Sequence, residues 1–326
     1  MSPLPPPDPA AVRAARERIR GHAIVTPLLE FPFLNERTGG RILIKPECLQ
    51  VTGSFKFRGA FNRLSMIPQG ERSRGVVACS SGNHAQGVAE AARLLGMAAT
   101  IVMPADAPAL KMERTARSGA TIVRYDREKE DREAIAREIE TRTGATFVHP
   151  YDDPGVIAGQ GTIGLEIAEQ AAAMGLAPEA VLVCCSGGGL TAGTALGLEE
   201  TLPRAMIHPV EPEGFDDYTR SLEAGERLSN TAVGGSVCDA LMAPSPGEIN
   251  FAINLRRGAR GLTVSDKEAL DAVAFAFQEL KLVVEPGGAV ALAAALCGRV
   301  ETRGRTIAVV LSGGNIDTAM LARALG

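Results

Sequence analysis

Residues 180–193 read AVLVCCSGGGLTAG. An apolar run of strand length is broken by a serine and three glycines, and a helix-prone segment follows. A run without polar alternation reads as a strand buried on both faces, as in a parallel sheet covered by helices. The pattern recurs. RILIKPE (41–47), GVVACS (75–80), AATIVMP (98–104), ATIVRYD (120–126), AMIHPVE (205–211) and TIAVVLS (306–312) are near-continuous apolar runs. Between them lie helix-period stretches such as HAQGVAEAARLLG, APALKMERTARSG, DREAIAREIETRTG and TIGLEIAEQAAAMG. This alternation predicts an α/β fold on open parallel sheets. The strand–helix units from about 75 to 144 suffice for a smaller sheet, and HPYDDPGVIAGQGT (149–162) reads as the crossing back into a larger one.

With 326 residues, 45% of them hydrophobic, the chain can bury a large core in one large or two linked domains. The net charge is −4 and no basic run interleaves with aromatics, so nucleic-acid binding has no electrostatic footprint. No apolar run reaches the roughly 18 residues of a membrane span. The opening MSPLPPPDPAAVRAARERIR lacks the apolar core of a secretory signal, and its prolines lead into a charged helix expected near Asp8. DREKEDREAIAREIETR (126–142) reads as a solvated helix face. Cys48, Cys79, Cys184, Cys185, Cys238 and Cys297 show no CxxC pairing or His-linked spacing. They read as reduced thiols of a cytoplasmic protein, and the four histidines are too scattered for a metal cluster.

In open α/β sheets the chemistry sits just beyond the strand ends. Here those ends are SSGNHAQG (80–87), SGGGLTAG (186–193), EPEGFDD (211–217) and SGGNID (312–317). A glycine-rich turn entering a helix presents successive N–H groups to a phosphate, which makes Ser186, Gly187, Gly188, Gly189 and Leu190 the candidate cradle. A rival reading exists. Gly187, Gly189 and Ala192 fit G-x-G-x-x-A, with Glu211 about 20 residues on, as in a nicotinamide-dependent oxidoreductase. That reading leaves the SSGNH and SGGN loops unused, and also Lys56 in VTGSFKFRGA (51–60). Between Phe55 and Phe57, a desolvated Lys56 would lose basicity and become a nucleophile or base; the plain alternative is a lysine snorkelling from a helix start. One phosphate plus a desolvated lysine fits pyridoxal 5′-phosphate held covalently by that lysine.

The motifs GSFKFRGA, SSGNHAQG, VIAGQGTIGLEI, SGGGLTAG, VVEPGGAVALAA and VVLSGGNID follow one another in this order. Over about residues 20–320 the chain thereby resembles the threonine dehydratase and serine racemase family of fold-type II pyridoxal-phosphate enzymes. The resemblance implies a tryptophan synthase β-like fold, two open parallel-sheet α/β domains with the cofactor in the cleft between them. The expected division is a large cofactor-binding domain of residues 1–52 plus 146–326 and a small domain of residues 53–145. The chain ends soon after SGGNID, as in the short form without a regulatory domain. A homodimer is implied as well.

The resemblance makes Lys56, beside Phe55, the residue bonded to the cofactor aldehyde and the general base. Asn83 becomes the partner of the 3′-oxygen, Ser186 to Leu190 the phosphate loop, and Ser312 the neutral partner of the pyridine nitrogen. A hydroxyl there does not hold that nitrogen protonated, and the weaker electron sink favours prompt loss of a β-substituent. Ser80, Ser81, Gly82, Asn83 and His84 would hold the substrate carboxylate, with His84 either a donor or a packed histidine without substrate contact. In racemase-like members Glu211, the carbonyl of Phe215 and Asp217 would bind Mg²⁺, Mn²⁺ or Ca²⁺, against a solvated acidic loop as the plain reading.

The implied activity is that of an ammonia-lyase of the threonine or serine dehydratase type, converting an L-β-hydroxy amino acid to a 2-oxo acid and ammonia. The alternative is a serine or aspartate racemase in which Ser81, facing Lys56 across the cofactor, reprotonates Cα. Tyr151, where racemases tend to carry asparagine, leans toward the dehydratase. GGSVCDALMAPSPGEI (234–249) departs from the family's ADG-type sequence near Asp239. Serine, 3-hydroxyaspartate and a hydroxylated intermediate of hydroxyectoine breakdown therefore stand beside threonine as substrates.

Overall fold

The computed structural model describes residues 4–326 apart from 108, 127 and 233. The chain begins α1 (Pro9–Ile19), β1 (Leu29–Glu30), α2 (Pro32–Thr38), β2 (Arg41–Pro46) and α3 (Lys56–Ser65). Next come β3 (Val76–Cys79), α4 (Asn83–Leu94), β4 (Ala99–Pro104), α5 (Ala109–Arg117), β5 (Thr121–Tyr125), α6 (Arg132–Thr143) and β6 (Thr146–Phe147). They lead to α7 (Pro154–Ala173), β7 (Ala180–Cys184), α8 (Gly189–Leu198), β8 (Met206–Pro212), α9 (Asp217–Ala224) and α10 (Glu248–Arg256). The chain closes with β9 (Leu262–Val264), α11 (Asp266–Phe275), α12 (Pro286–Leu296), β10 (Thr306–Leu311) and α13 (Thr318–Leu325).

Two sheets result. The larger has the order β1-β2-β10-β7-β8-β9 and the smaller β5-β4-β3-β6. Every pairing is parallel except the short β1 against β2. The apolar runs are continuous because alternate residues serve opposite faces. On β2 and β10, Ile42, Ile44, Ile307, Val309 and Leu311 pack with α11 and α12. Leu43, Ala308 and Val310 pack with α7 and α8. On β3, Val76 and Ala78 meet α3 and α4, whereas Val77 and Cys79 meet α6. Each buried valine, leucine or isoleucine contributes about 1.5–3 kcal/mol, so both faces stay apolar except where a buried polar side chain such as Lys45 or Glu211 has hydrogen-bond partners.

The seven strands read from the sequence all form. α1 starts at Pro9, with Asp8 accepting from Ala11 N, and α6 buries Ala136 and Ile139 while most of its charges face outward. Two expectations change. The crossing expected over 149–162 ends early, because Pro154 at the first turn and Asp153, which accepts from Gly155 N and Val156 N, start α7 there. The glycines that suggested a loop lie inside this helix: a Cβ on Gly159 would stand 2.6 Å from Arg58 O, so glycine lets α7 approach α3. The small sheet also runs past residue 145, because Thr146 and Phe147 pair with Val76 and Val77. A two-residue strand leaves no pattern to read. No helix among the described residues is long and apolar enough to cross a membrane.

Candidate active site

The segment entering α3 is stitched to the loop after β10. Phe55 N donates to Ser312 O (3.0 Å), Gly314 N to Gly53 O (2.8 Å) and Asn315 Nδ2 to Thr52 O (2.8 Å). Lys56 and the buried Ser312 are thereby held together at the edge formed by the C-terminal ends of the large sheet's central strands. Lys56 Nζ donates to Pro150 O at 2.7 Å and lies 5.1 Å from the centre of the Phe55 ring. Burial disfavours the ammonium and pushes the amine down to about 8. Only one of the flanking phenylalanines walls the amine. Phe57 is fully buried in the core shared by α3 and α4, its ring 5.6 Å from Phe61.

β7 delivers Ser186–Leu190 to the same edge. Among the described residues, the N–H groups of Gly187, Gly188, Gly189 and Leu190 have no protein acceptor, and the first turn of α8 has no acidic residue. Gly188 has φ +90°, and the Tyr218 ring occupies the place its Cβ would take. The Tyr151 ring covers Gly187, and Ser186 Oγ accepts from Ala243 N at 3.1 Å. Consecutive free donors at a helix start, beside a lysine of lowered pKa, fit a phosphate-bearing aldehyde.

The small sheet faces this edge with the Ser80–His84 loop. Gly82 N donates to Ser80 Oγ at 3.1 Å. Asn83 opens α4; its Nδ2 donates to Glu285 Oε1 at 2.5 Å and its Oδ1 accepts from Asn315 Nδ2 at 2.7 Å. Glu285 and Asn315 lie in VVEPGGAVALAA and VVLSGGNID, yet no local pattern in either motif marks them for a role. His84 is buried, and its Nε2 lies 3.0 Å from Val148 O, so Nε2 must carry the proton. Burial, with the Lys56 charge nearby, pushes His84 down to about 3, and its Nδ1 is a buried acceptor without a partner among the described residues. With its one N–H spent on Val148 O, the neutral ring has none left for a carboxylate, which favours the packed histidine over the donor. Only its backbone N–H can serve a carboxylate.

Burial pushes Glu285 up to about 7, against the hydrogen bond from Asn83. Between about pH 4.5 and 7 the folded chain then holds a proton that the unfolded chain has lost, so stability falls as pH rises through that window. Glu285→Gln keeps an acceptor for Asn83 and cannot ionise. It is expected to remove this fall, on the order of 3 kcal/mol, as read from denaturant unfolding of both proteins at each end of the window. An identical pH response in the two proteins would contradict the assignment.

Behind the phosphate loop lies the acidic pair expected to bind a cation. Glu211 Oε1 accepts from Tyr218 N (3.1 Å), and Oε2 from Thr219 N and Thr219 Oγ1 (2.8 Å each), which caps α9. Asp217 Oδ1 accepts from Asn230 Nδ2 at 2.5 Å, whereas its buried Oδ2 has no partner among the described residues. Burial, then the Asp217 charge, raises Glu211 well above the usual range; burial raises Asp217 to about 6. Phe215 is buried, its N–H on Pro212 O. No group of three or more His, Cys, Asp or Glu side chains among the described residues is arranged to hold a metal.

The family described as "Pyridoxal-phosphate dependent enzyme" matches residues 19–313. An L-threo-3-hydroxyaspartate ammonia-lyase of Pseudomonas sp is 43% identical over 303 residues, covering 93% of each chain. A serine racemase of Schizosaccharomyces pombe is 38% identical over 94% of this chain and 93% of its own. The crystal structure of a threonine deaminase from T.th. superposes with a TM-score of 0.90 at 44% identity, over 95% of this chain and 99% of that one. The chain belongs to the pyridoxal-phosphate dependent enzymes, in the fold-type II branch that holds the threonine dehydratases and serine racemases.

Proposed function

We propose that the protein is an ammonia-lyase that converts an L-β-hydroxy amino acid to a 2-oxo acid and ammonia, with L-threo-3-hydroxyaspartate its preferred substrate. The carrying observation is a lysine amine of pKa about 8, backed by Phe55 and bonded to Pro150 O, beside four free N–H donors. When bound, the cofactor supplies an electron sink for charge developing at Cα. Gly187, Gly188, Gly189 and Leu190 hold its phosphate, Asn83 its 3′-oxygen and Ser312 its ring nitrogen. In the Ser80–His84 loop the N–H groups of Ser81, Asn83 and His84, which have no acceptor among the described residues, hold the substrate carboxylate. The neutral Lys56 amine takes the Cα proton as general base. In the balance the β-hydroxyl leaves with a proton as water, one water enters, and ammonia departs.

Relatives at 43% and 42% identity that bear the name L-threo-3-hydroxyaspartate ammonia-lyase support the substrate. The test is 2-oxo acid release from L-threo-3-hydroxyaspartate, L-serine and L-threonine, with Lys56→Ala as blank. The expected result is a kcat/KM for hydroxyaspartate at least about 10-fold above the others, a gap of about 1.4 kcal/mol. A second reading has its own support: the Ser81 hydroxyl has no partner among the described residues, and a 38%-identical relative is named serine racemase. Deuterium entering Cα of recovered substrate, without 2-oxo acid, would replace the lyase with a racemase.

The proposal extends to two units, meeting where the chain crosses near residues 52 and 148, and to a cytoplasmic homodimer. Free cysteines, four of them buried, support the compartment. Exposed Leu49, Val51 and Val283 support a covered face. The unpartnered Asp217 Oδ2 favours a divalent cation behind the phosphate loop, although Glu211 already caps α9.

A further inference from the structure

The crossing from β6 to α7 touches both ends of the site. Pro150 O accepts from Lys56 Nζ at 2.7 Å. One residue on, Tyr151 covers Gly187 with its ring, and its carbonyl accepts from Asn250 Nδ2 at 2.9 Å. Asp152 then caps α10, accepting from Glu248 N at 2.9 Å and Ile249 N at 3.0 Å. Asn250, in the first turn of α10, is fully buried. Its Nδ2 also donates to Gly187 O at 3.0 Å, where Gly247 N donates at the same distance.

In a trans peptide the carbonyl and the following N–H point in opposite directions. Two donors gripping Gly187 O from α10 therefore turn Gly188 N–H the other way, and that N–H is one of the four free donors of the phosphate loop. A peptide between two glycines has little stiffness of its own, so the direction has to be imposed from outside.

We propose that Asn250 is a positioning residue for cofactor binding: its amide ties the Gly187 and Tyr151 carbonyls together and so aims the Gly188 N–H at the phosphate. The same tie fixes the span between the phosphate loop and the segment that holds the Lys56 amine. The inference rests on the pyridoxal-phosphate reading, in which the motifs give Asn250 no part.

Asn250→Leu keeps most of the volume and removes both donors. The cofactor-free chain is titrated with pyridoxal 5′-phosphate and, separately, with pyridoxal, which carries the aldehyde but no phosphate. The expected result is an affinity for the phosphorylated form about 10- to 100-fold weaker, with that for pyridoxal changed by less than about 2-fold. The phosphorus resonance of the bound cofactor should move as well. Equal losses for both ligands would make Asn250 a general support of the fold and overturn the proposal, as would no loss for either. A wild-type chain that takes up neither ligand would overturn the cofactor reading and the proposal with it. Should Asn250→Leu fail to fold, Asn250→Ser, with a donor too short to span both carbonyls, carries the same comparison.

Discussion

Replacing Lys56 with alanine is expected to lower 2-oxo acid release by about 10³-fold or more, since it removes the general base and the covalent anchor together. The fold should survive. Among the described residues the amine's one hydrogen bond is to Pro150 O, and burial already works against its charge. Lys56→Arg should fail as completely, because a guanidinium stays charged at every working pH and cannot act as a neutral base. The lowered pKa carries its own signature. The amine is half neutral at about pH 8 instead of 10.5, so cofactor uptake should rise with pH up to about 8 and then level off. Between those values the unfolded chain binds the proton and the folded chain does not. The cofactor-free protein therefore gains stability as pH rises through the window. Lys56→Ala should lack that gain; unfolding of the two cofactor-free proteins at both ends of the window measures it.

The largest effect on stability is expected at Arg58, two residues along the same helix. Its guanidinium donates to Glu47 (2.7 and 2.9 Å), Glu166 (2.6 and 2.9 Å), Thr162 Oγ1 (3.2 Å) and Ile24 O (3.0 Å), and it is wholly buried. Lys45 Nζ completes the set on Glu166, Gln170 and Thr26 O. Burial is the largest single influence on Glu47 and raises its pKa, but the charge and hydrogen bonds of Arg58, the Lys45 charge and the Thr26 hydroxyl together outweigh it and the net direction is down. Two cations and two carboxylates share a dry space, and each oxygen of both carboxylates has a donor. Arg58→Met leaves one cation for two buried carboxylates, which should cost roughly 3–5 kcal/mol. The exposed pair Arg41–Glu30 provides the comparison: Arg41→Ala should cost no more than about 1 kcal/mol. Equal shifts in thermal midpoint for the two variants would contradict this account. Arg58 also pins the turn that carries Lys56 onto Glu47, just past β2, and onto α7, so activity should fall along with stability.

The legible parts of the molecule were those written locally. Seven strands could be read because burial on both faces leaves runs such as IAVVL (307–311) without a polar residue. β1, β6 and β9, of two or three residues each, left no such pattern. The Lys56, Ser80–His84, Ser186–Leu190 and Ser312 segments were visible because glycines and hydroxyls cluster where strands end. The contacts that orient them were not. Glu285 meets Asn83 across 202 positions, Arg58 meets Glu166 across 108, and Asn250 meets Gly187 across 63. A side chain's partner at such separations is chosen by the packing of α3 on α7, or of α10 on the phosphate loop, which local spacing does not encode. The same limit explains His84 and Phe57. Each sits in a motif that suggested ligand contact, yet Val148 O and the α3–α4 core take up their side chains.

The most direct measurement is reduction of the holoenzyme with borohydride, followed by proteolysis and mass analysis of the labelled peptide. The account predicts one pyridoxyl group, on the nitrogen of Lys56 in GSFKFRGA. A label on Lys45, Lys111 or any other amine, or no label at all, would contradict it.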